Sequence, residues 1–495
     1  MKTLKTDVVI VGAGNAALCA ALSACEHKAR VIVLERAPLE ERGGNSAYTA
    51  GAFRFAYDTV EELYEVVDDL SAQEKATTDF GIYSTGDFFD DMGRVTEYRT
   101  NPDLAELLIR NSRDTLIWMK RAGVRFQPSY SRQAFKVNDK FRFWGGLSIE
   151  AWGGGPGLVE TLHGAAEKAG VQVLYGTRAT DLLREDNRIV GVSGVSGGQP
   201  IEVRAKSVIL ASGGFEANGE WRARYLGPGW DLAKVRGTRF NTGDGIRMAL
   251  DAGAMSHGHW SGCHSVAWDR NAPPFGDLAV GDGFQKHSYP FGLMINAEGR
   301  RFVDEGADFR NYTYAKYGAV VLNQPGQFAW QIFDAKVAHL LRDEYRIRQV
   351  TKFKADTLDE LATRMEDIDK GRFLETITRF NQAVRTDVPF DPTVKDGRSA
   401  DGLDVPKSNW ANAIDEPPFE AYAVTCGVTF TFGGLKIATD GQVLDTEDVP
   451  MPGLFAAGEL VGGLFYVNYP GGTGLTSGSV FGRIAGRSAA ITAAG

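Results

Sequence analysis

The sequence predicts an α/β fold in which a domain with a parallel sheet and a β-meander is interrupted by an inserted α+β capping domain. An apolar run at residues 7–11 is followed by glycines and then by a helical pattern, which is the order of a βαβ unit. Residues 427–495 again show a strand, a glycine loop and a helix, whereas residues 260–425 show a separate amphipathic helix pattern. We therefore predict one domain from residues 1–258 and 427–495, and a cap from residues 259–426.

The predicted elements of the first part follow the order strand, helix, strand. Asp7–Val11 and Val31–Leu34 are almost wholly apolar, as expected of strands buried on both faces. Small residues through Cys25 predict the helix between them. Apolar residues at helical spacing predict that residues 58–170 are mostly helical. Short alternating runs with glycine and asparagine turns predict a β-meander over residues 171–210.

Composition restricts the classes of function. The 495 residues include 63 acidic and 54 basic side chains, a net charge of −9, which argues against nucleic acid as the main partner. No apolar run reaches the ~18 residues of a membrane span. The four cysteines form neither a CxxC pair nor an iron–sulfur ligand run, so we expect any redox centre to be an organic cofactor. An apolar strand so near the amino terminus leaves no room for a signal peptide, and we expect a cytoplasmic protein.

A nucleotide-binding motif opens the first helix. Gly12–Ala17 fits the pattern G-x-G-x-x-G/A, with Gly12, Gly14, Asn15 and Ala16 at its centre. The pattern alone is weak, but here it follows a buried strand, and Glu35 ends the next strand 21 positions after Gly14. These are features of a Rossmann-type unit, in which the glycines approach a pyrophosphate and the acid accepts hydrogen bonds from a ribose. A glycine turn in a purely structural unit is the alternative.

Further glycine loops favour FAD over NAD. A second polar loop, Gly43-Gly44-Asn45-Ser46, is followed by Thr49-Ala50-Gly51 and is suited to wrap the flavin side of a larger cofactor. Near the end, Pro452–Glu459 predicts a strand, and a closing helix carries Gly474, Gly478, Gly482 and Gly486 on one face. This bare face predicts close backbone approach to a cofactor. Tight packing of the helix against the sheet is the alternative.

Over almost its whole length the chain resembles the FAD-binding flavoproteins of the fumarate reductase and succinate dehydrogenase group. The motifs that carry the resemblance are those above, together with Thr242–Gly245, Asn296–Glu305 and Gly433-Gly434. Within the group it is most similar to the tricarballylate dehydrogenases, through Trp144–Val159, Arg301–Gly318 and Asn468–Gly474.

The resemblance implies which residues contact FAD. Beyond the glycine motifs and Glu35, we expect these contacts from Arg36, Ala179, Ser212, Gly213, Asp244, Glu459, Gly474 and Leu475. The segment after Gly44 lacks the histidine that tethers FAD covalently in succinate dehydrogenases, so the flavin is expected to be non-covalent.

The resemblance also implies that Arg310 is the acid/base residue. Hydride would pass between a substrate carbon and flavin N5, and Arg310, which follows the motif Asn296–Glu305, would take the proton. An arginine has a pKa above 12 and acts as a base only when it is buried with suitable neighbours. Glu305 and Asp308, the nearest acids in sequence, are the expected neighbours that would relay the proton.

Histidines and tyrosines are the other candidates for the substrate site. The resemblance implies a carboxylate-binding histidine at the start of the cap, where His264 is the closest match and His287 is a second candidate. Tyr469 is a candidate catalytic residue, and Tyr289, Gly472 and Thr473 are candidate substrate contacts. A metal site at His257, His259 and His264 is not expected, because no carboxylate or cysteine stands at ligand spacing.

Two departures from the fumarate reductases affect the expected substrate. Phe430 stands where those enzymes carry a histidine, and Tyr469-Pro470 stands where they carry an arginine. We therefore expect a larger or less charged acid than a compact dicarboxylate, and desaturation of the tricarballylate to cis-aconitate type. The resemblance implies a separate membrane protein as electron acceptor, which would bring the chain to the inner membrane only peripherally.

Three alternatives remain open. A 3-ketosteroid or 4-oxocyclohexanecarboxylate type desaturase would use tyrosines such as Tyr289, Tyr312 or Tyr469, since an enolisable ketone needs an acid at its oxygen. A fumarate reductase-like enzyme would run the chemistry in the opposite direction. A flavin-binding module without substrate chemistry would use the cap as a docking surface.

Overall fold

The computed structural model describes residues 2–144 and 146–495; Gly145, which belongs to the Trp144–Val159 stretch, lies outside the described residues. It has the predicted mixed α/β architecture. Strands β1 to β20 span Lys2–Val11, Val31–Leu34, Ala52–Phe53, Thr78–Asp79, Phe126–Pro128, Ala134–Val137, Lys140–Phe143, Ile149–Ala151, Gln172–Leu174, Thr177–Glu185, Arg188–Ser196, Gln199–Leu210, Lys234–Val235, Ser256–Asp269, Leu293–Asn296, Ala329–Phe333, Lys352–Ala355, Phe419–Leu435, Gln442–Leu444 and Pro450–Ala456.

Helices connect these strands and cover the sheets. Helices α1 to α13 span Asn15–Glu26, Val60–Val66, Ala72–Thr77, Thr85–Val95, Pro102–Arg121, Tyr130–Gln133, Gly154–Lys168, Gly219–Trp221, Asp244–Asp251, Tyr314–Leu322, Leu358–Arg364, Lys370–Ala383 and Thr473–Ala494. Among the described residues, no helix is both long and apolar enough to cross a membrane.

The main sheet has eight strands and is built around β1. Strand β1 pairs in parallel with β12 on one side and with β2 on the other, and β9 and β20 extend the parallel part. Val8, Val9 and Ile10 in β1 are fully buried, which explains their continuous apolar sequence. Strands β10, β11 and β12 form the predicted antiparallel meander.

The second sheet has six strands and lies mainly within the proposed cap, residues 259–426. Its long central strand β18 pairs with β13, β14, β16 and β17. Strands β14 and β18 run through positions 259 and 427, the proposed limits of the cap, so this sheet connects the cap to the flanking domain. In the antiparallel β14–β18 pair, His264 lies opposite Phe430, which places both side chains on the same face.

The region from residue 58 to 170 is less helical than the sequence predicts. Helices α2 to α7 lie there as expected, but so do five short strands, β4 to β8, which form parts of two small sheets. Their aromatic side chains stack on one another, as in Phe80 on Phe143 with ring centroids 5.2 Å apart. Pairing between segments that are distant in sequence outweighs the helical spacing here.

Helix α13 packs against α1, and its glycines serve two purposes. A Cβ at Gly482 would lie 2.4 Å from the carbonyl oxygen of Ala16, and one at Gly486 would lie 2.2 Å from that of Ala20. These two glycines therefore permit close contact between two helices, whereas the alternative left open by the sequence is tight packing of the helix against the sheet. Gly474 and Gly478, in the first turns of α13, line a cavity instead.

Candidate functional site

A large cavity extends from the carboxyl ends of the parallel strands to the cap sheet. Most of the predicted FAD contacts line it. They are Gly12, Gly14, Asn15, Ala16, Glu35, Arg36, Gly44, Asn45, Ser46, Thr49, Ala50, Ala179, Ser212, Gly213, Asp244, Glu459, Gly474 and Leu475. The predicted substrate-site residues His264, His287, Arg310, Tyr469 and Gly472 line the same cavity. This position, beyond the carboxyl ends of parallel strands, is where ligands bind in open α/β sheets.

Four predicted contacts do not reach the cavity wall. A Cβ at Gly43 would lie 2.6 Å from a methyl carbon of Val159, and one at Gly51 would lie 2.7 Å from the backbone of Gly154, so both glycines are used for packing against α7. The Tyr289 hydroxyl is 2.6 Å from that of Thr313 in the core of the cap. The Thr473 hydroxyl donates to the carbonyl of Pro470, 2.7 Å away, which fixes the turn before α13.

The nucleotide end of the cavity has the geometry of a dinucleotide site. The two carboxylate oxygens of Glu35 accept hydrogen bonds from the backbone N–H groups of Ala13, at 2.9 Å, and Ala37, at 2.7 Å. Each oxygen keeps a lone pair for a ribose hydroxyl. Burial raises the pKa of Glu35, while these backbone hydrogen bonds oppose the shift. Nearby, Asp244 is bound by Arg36 at 3.0 Å and Arg178 at 2.8 Å.

The residues at this end fit a pyrophosphate-containing cofactor. Gly12 has φ = 104°, and a Cβ there would lie 2.3 Å from the carbonyl oxygen of Ala211. Only glycine fits this close approach between the first loop and β12. Ser212 lines the cavity and has a buried hydroxyl without a hydrogen-bond partner among the described residues; this hydroxyl lies beside Gly245, in the first turn of α9. An unsatisfied hydroxyl of this kind is expected where a polar ligand binds.

Two buried carboxyl groups, those of Glu216 and Glu459, lie next to each other at the cavity wall. The Asn45 amide nitrogen donates to Glu216 at 2.5 Å, and its oxygen accepts from the backbone N–H of Thr238 at 2.9 Å. Burial raises the pKa of Glu459 well above its usual range, and the charge of Glu216 acts in the same direction. Burial also raises the pKa of Glu216. The pair is therefore held at least partly protonated, because two buried carboxylates repel each other.

Arg310 lies in the cavity wall, where it is half-buried. One terminal nitrogen donates to the backbone carbonyl of Arg132, and the other lies 3.5 Å from Nδ1 of His287. Its Nε has no partner among the described residues. Burial lowers the pKa of Arg310, although Glu344 partly opposes this shift. Trp144 lies beside the guanidinium, with 6.0 Å between its ring centroid and the Arg310 guanidinium carbon.

The acids that the sequence suggests as neighbours of Arg310 do not contact it. Glu305 forms a buried ion pair with Arg301 at 2.5 Å, four residues earlier. Asp308 pairs with Arg94 at 2.6 Å and with Lys395 at 3.7 Å. The expectation of a carboxylate relay from these two residues is therefore wrong, because nearer cations bind both of them.

His264 and His287 stand together with tyrosines in the cavity wall. Nε2 of each histidine is buried without a partner among the described residues. Burial lowers the pKa of both rings well below 6.5, and nearby arginines act in the same direction, so both are neutral at pH 7. The Tyr314 and Tyr469 hydroxyls are 2.8 Å apart, and the Tyr314 ring lies 4.9 Å from the ring centroid of each histidine.

Phe430 completes an aromatic side of this wall. Its ring stacks on Tyr469, with centroids 6.4 Å apart and planes at 14°. His257 and His259, the other two histidines of β14, are outside the wall, and Nδ1 of His259 accepts from the backbone N–H of Val467 at 3.0 Å. No group of three or more metal-ligating side chains occurs within residues 2–144 and 146–495.

Three charged residues at the substrate end of the wall are not predicted by the sequence. Arg132 lies in α6, Arg236 follows β13, and Asp282 lies in a loop before β15. Asp282 accepts from Arg132 at 3.0 Å and from Arg236 at 2.7 Å. They belong to no recognisable motif and are separated by 104 and 46 residues along the chain. Only the fold brings them together, so no sequence signal identified them.

Comparison with known proteins agrees with this geometry. Residues 7–475 match the FAD binding domain family. A probable fumarate reductase of Shewanella frigidimarina is 31% identical over 496 residues, which cover 98% of this chain and 75% of that protein. A 3-oxosteroid 1-dehydrogenase of Mycolicibacterium smegmatis is 28% identical over 573 residues, which cover 99% of this chain and 98% of that protein.

Solved structures with the same fold include the open conformation of a flavocytochrome c3 fumarate reductase. It superposes with a TM-score of 0.71 at 27% identity, over 99% of this chain and 79% of that chain. The chain therefore belongs to the FAD binding domain family and is an FAD-dependent oxidoreductase acting on CH–CH groups.

Proposed function

We propose that the protein desaturates a carboxylic acid, removing hydrogen from two adjacent carbons as in the oxidation of tricarballylate to cis-aconitate. FAD, when bound, supplies the two-electron chemistry by accepting a hydride. The observation that carries the proposal is that three guanidinium groups, those of Arg132, Arg236 and Arg310, line the same end of the cavity. Cations held together in a partly desolvated wall favour an anionic substrate over a neutral one.

Arg310 is the residue that takes the α-proton. Burial lowers its pKa, which makes the neutral form more accessible than in a surface arginine. The Arg132 carbonyl accepts from one of its terminal nitrogens and so fixes the orientation of the guanidinium. His287 lies 3.5 Å from the other terminal nitrogen.

His264, His287 and Tyr469 orient the substrate. The two histidines are neutral, and each has a free Nε2 in the wall of the described chain that can hydrogen-bond a carboxylate or its acid form. Phe430 occupies the position opposite His264 and adds an apolar surface. This favours a substrate with more carbon surface than a compact dicarboxylate.

Replacing Arg310 tests the proposal. Wild-type protein, Arg310→Lys and Arg310→Ala are assayed with tricarboxylates, dicarboxylates and cyclic keto-acids and an artificial electron acceptor. We expect the highest rate with tricarballylate or a close relative, a low rate with succinate, and loss of nearly all turnover in both variants. Arg204→Gln, which removes an exposed ion pair with Glu185, is the control and should keep full activity. Unchanged turnover in the Arg310 variants would refute the proposal.

A ketone desaturase is the second candidate, and one observation favours it. The Tyr314 and Tyr469 hydroxyls are hydrogen-bonded to each other in the wall, and such a pair can donate to a ketone oxygen. Tyr469→Phe separates the two candidates when compared with Arg310→Ala. A tyrosine-driven site loses activity in the first variant and keeps much of it in the second, whereas the opposite pattern supports the carboxylic acid substrate. A fumarate reductase-like reaction is recognised by turnover of an unsaturated acid with a reduced dye.

We further propose that FAD is held non-covalently and that electrons leave through a separate membrane protein. The segment directly after Gly44 contains no histidine that could tether the flavin, which supports non-covalent binding. Acid precipitation should release the flavin into the supernatant, whereas a covalent link would keep it in the pellet. Co-purification of a redox protein with the native chain is the corresponding test of the electron acceptor.

A further inference from the structure

In addition to Arg310, three charged side chains form a cluster in the cavity wall. We call Arg132, Arg236 and Asp282 the anion cluster. Asp282 is almost fully buried and lies between the two arginines, with Oδ2 at 3.0 Å from Arg132 and Oδ1 at 2.7 Å from Nε of Arg236. Gln285 donates to the same carboxylate, and Arg236 also donates to the Thr429 hydroxyl at 3.2 Å.

The anion cluster retains a positive charge. Its two guanidiniums contact one carboxylate, so one positive charge has no partner within the cluster. Outside the cluster, the buried Glu344 and Arg342 interact with both Arg132 and Arg310, and their opposite charges offset each other. Whenever its guanidinium is protonated, Arg310 adds a second positive charge to this end of the cavity, and the neutral His264 and His287 add none. An uncompensated buried charge is costly, so a wall of this kind is expected where an anion binds.

Arg132 has the donors needed to bind such an anion. Within the described chain its guanidinium donates only to Asp282, through one terminal nitrogen, and its side chain is 29% exposed towards the cavity. The remaining N–H groups form the planar fork that binds carboxylates in a bidentate manner. Arg236 is more deeply buried, at 7%, and lies close enough to His264 to lower the pKa of that ring.

We propose that Arg132 and Arg236, positioned by Asp282, bind a second carboxylate of the substrate while Arg310 acts at the reacting carbons. The inference rests on the proposed function and narrows it: the substrate carries at least two carboxylates. Asp282 is a positioning residue, because it contacts the two arginines and fixes their planes. The two positive charges left in the wall balance two carboxylates, and a third carboxylate remains outside this balance.

A binding experiment with the FAD-loaded protein tests this proposal without turnover. Fumarate and its monomethyl ester are titrated into wild-type protein and into Arg132→Gln and Arg236→Gln, and Kd is read from the change in flavin absorbance. We expect wild-type protein to bind the diacid at least about tenfold tighter than the ester, and each variant to lose most of that ratio. The ester's own Kd should change little. Arg204→Gln is the matched control and should keep the wild-type ratio.

A diacid-to-ester ratio that is unchanged in both variants would overturn the inference. So would loss of FAD or a shifted flavin spectrum without a change in the ratio, since the anion cluster would then serve the cofactor. If the ratio falls but no acid reduces the flavin in any preparation, the proposed oxidation fails while the carboxylate site stands. The proposed oxidation and the proposed carboxylate site can therefore be refuted independently of each other.

Asp282→Asn is expected to strengthen the binding of a polyanionic acid, whereas the two arginine variants are expected to weaken it. It removes the negative charge of the anion cluster and keeps an oxygen that can accept from one arginine. We expect the affinity for tricarballylate to rise relative to that for fumarate, because the wall then carries three positive charges. A relative affinity that stays the same or falls, in a variant that retains FAD, would contradict the charge balance.

Discussion

Arg310 reaches the cavity wall because contacts from other parts of the chain hold it there. The motif before it predicts its position along the sequence, and the fold places it in the cavity wall, where its surroundings lower its pKa. Its contacts are the carbonyl of Arg132 and the ring of His287, not the acids next to it in sequence. Those acids are bound by other cations, and sequence proximity carries no information about such competition.

Phe430 was identified from the sequence as a departure from the fumarate reductases, and its position allows a direct substitution test. Phe430→His returns a polar group to the wall opposite His264. We expect kcat/KM for compact dicarboxylates to rise about tenfold, since a hydrogen bond to a charged group contributes roughly 1.5–3 kcal/mol. Steady-state kinetics with succinate and tricarballylate measure this change. Phe430→Leu is the control, and an equal gain in that variant would show that size rather than polarity limits the substrate.

The buried pair of Glu216 and Glu459 makes stability depend on pH. Burial raises the pKa of Glu216, so the folded protein keeps a proton that the unfolded chain releases above its ordinary pKa of 4.5. The free energy of unfolding therefore falls as pH rises above this ordinary value and towards the raised pKa of the folded state. Glu216→Gln should increase stability at pH 8 and leave it nearly unchanged at pH 5, and urea unfolding at both values measures this.

The geometry of Glu216 suits this replacement. Its Oε1 accepts from Asn45 at 2.5 Å and Asn241 at 2.6 Å, whereas Oε2 has no partner in the described chain. A glutamine amide keeps the accepting oxygen and places a donor on the side of Oε2. Equal destabilisation at both pH values would mean that the pair is not held protonated.

At the scale of single elements, the spacing of the glycines in α13 predicts which face of the helix they share but not what that face contacts. Their four-residue period places them on one face, which the structure confirms. The period does not tell a cofactor contact from a helix contact, because both need an absent side chain. Gly474 and Gly478 line the cavity, whereas Gly482 and Gly486 meet the backbone of α1.

Adding a methyl group to this face tests the helix contact. In Gly482→Ala the new Cβ would lie 2.4 Å from the Ala16 carbonyl oxygen, so α1 and α13 must separate. We expect a loss of roughly 1–3 kcal/mol in the free energy of unfolding, typical of overpacking. Gly164→Ala in α7, where nothing lies within 4 Å, is the control and should gain up to about 1 kcal/mol from helix propensity. Equal effects at both positions, measured by chemical denaturation, would contradict the contact.

The short strands β5 to β8 lie in a region where the spacing of apolar residues predicts mostly helix. Each has only three or four residues, too few to display a clear alternation. Their stability comes from pairing with one another and with β3 and β4, and from stacked aromatic rings. Helix α6, in the same region, contributes Arg132, so the part of the chain that was hardest to predict is also the source of a missed site residue.

At the scale of the whole molecule, the sequence predicts one end of the cavity better than the other. The nucleotide end comes from glycine loops and an acid at the ends of consecutive strands, and these have a fixed spacing that a single motif describes. The substrate end is assembled from α6, the segment after β13, the loop before β15 and strands β14 and β18. Its side chains meet only when the cap sheet forms, so their proximity is a property of the fold.

The proton-transfer role of Arg310 is tested most directly by single-turnover reduction of the bound flavin. Wild-type protein and Arg310→Lys, both loaded with FAD, are mixed anaerobically with saturating tricarballylate, and flavin absorbance is followed in a stopped-flow instrument. The account predicts that the variant still binds the acid but reduces its flavin about 10²–10⁴-fold more slowly, the range expected when a general base is lost. A rate in Arg310→Lys within a few-fold of wild type would contradict it.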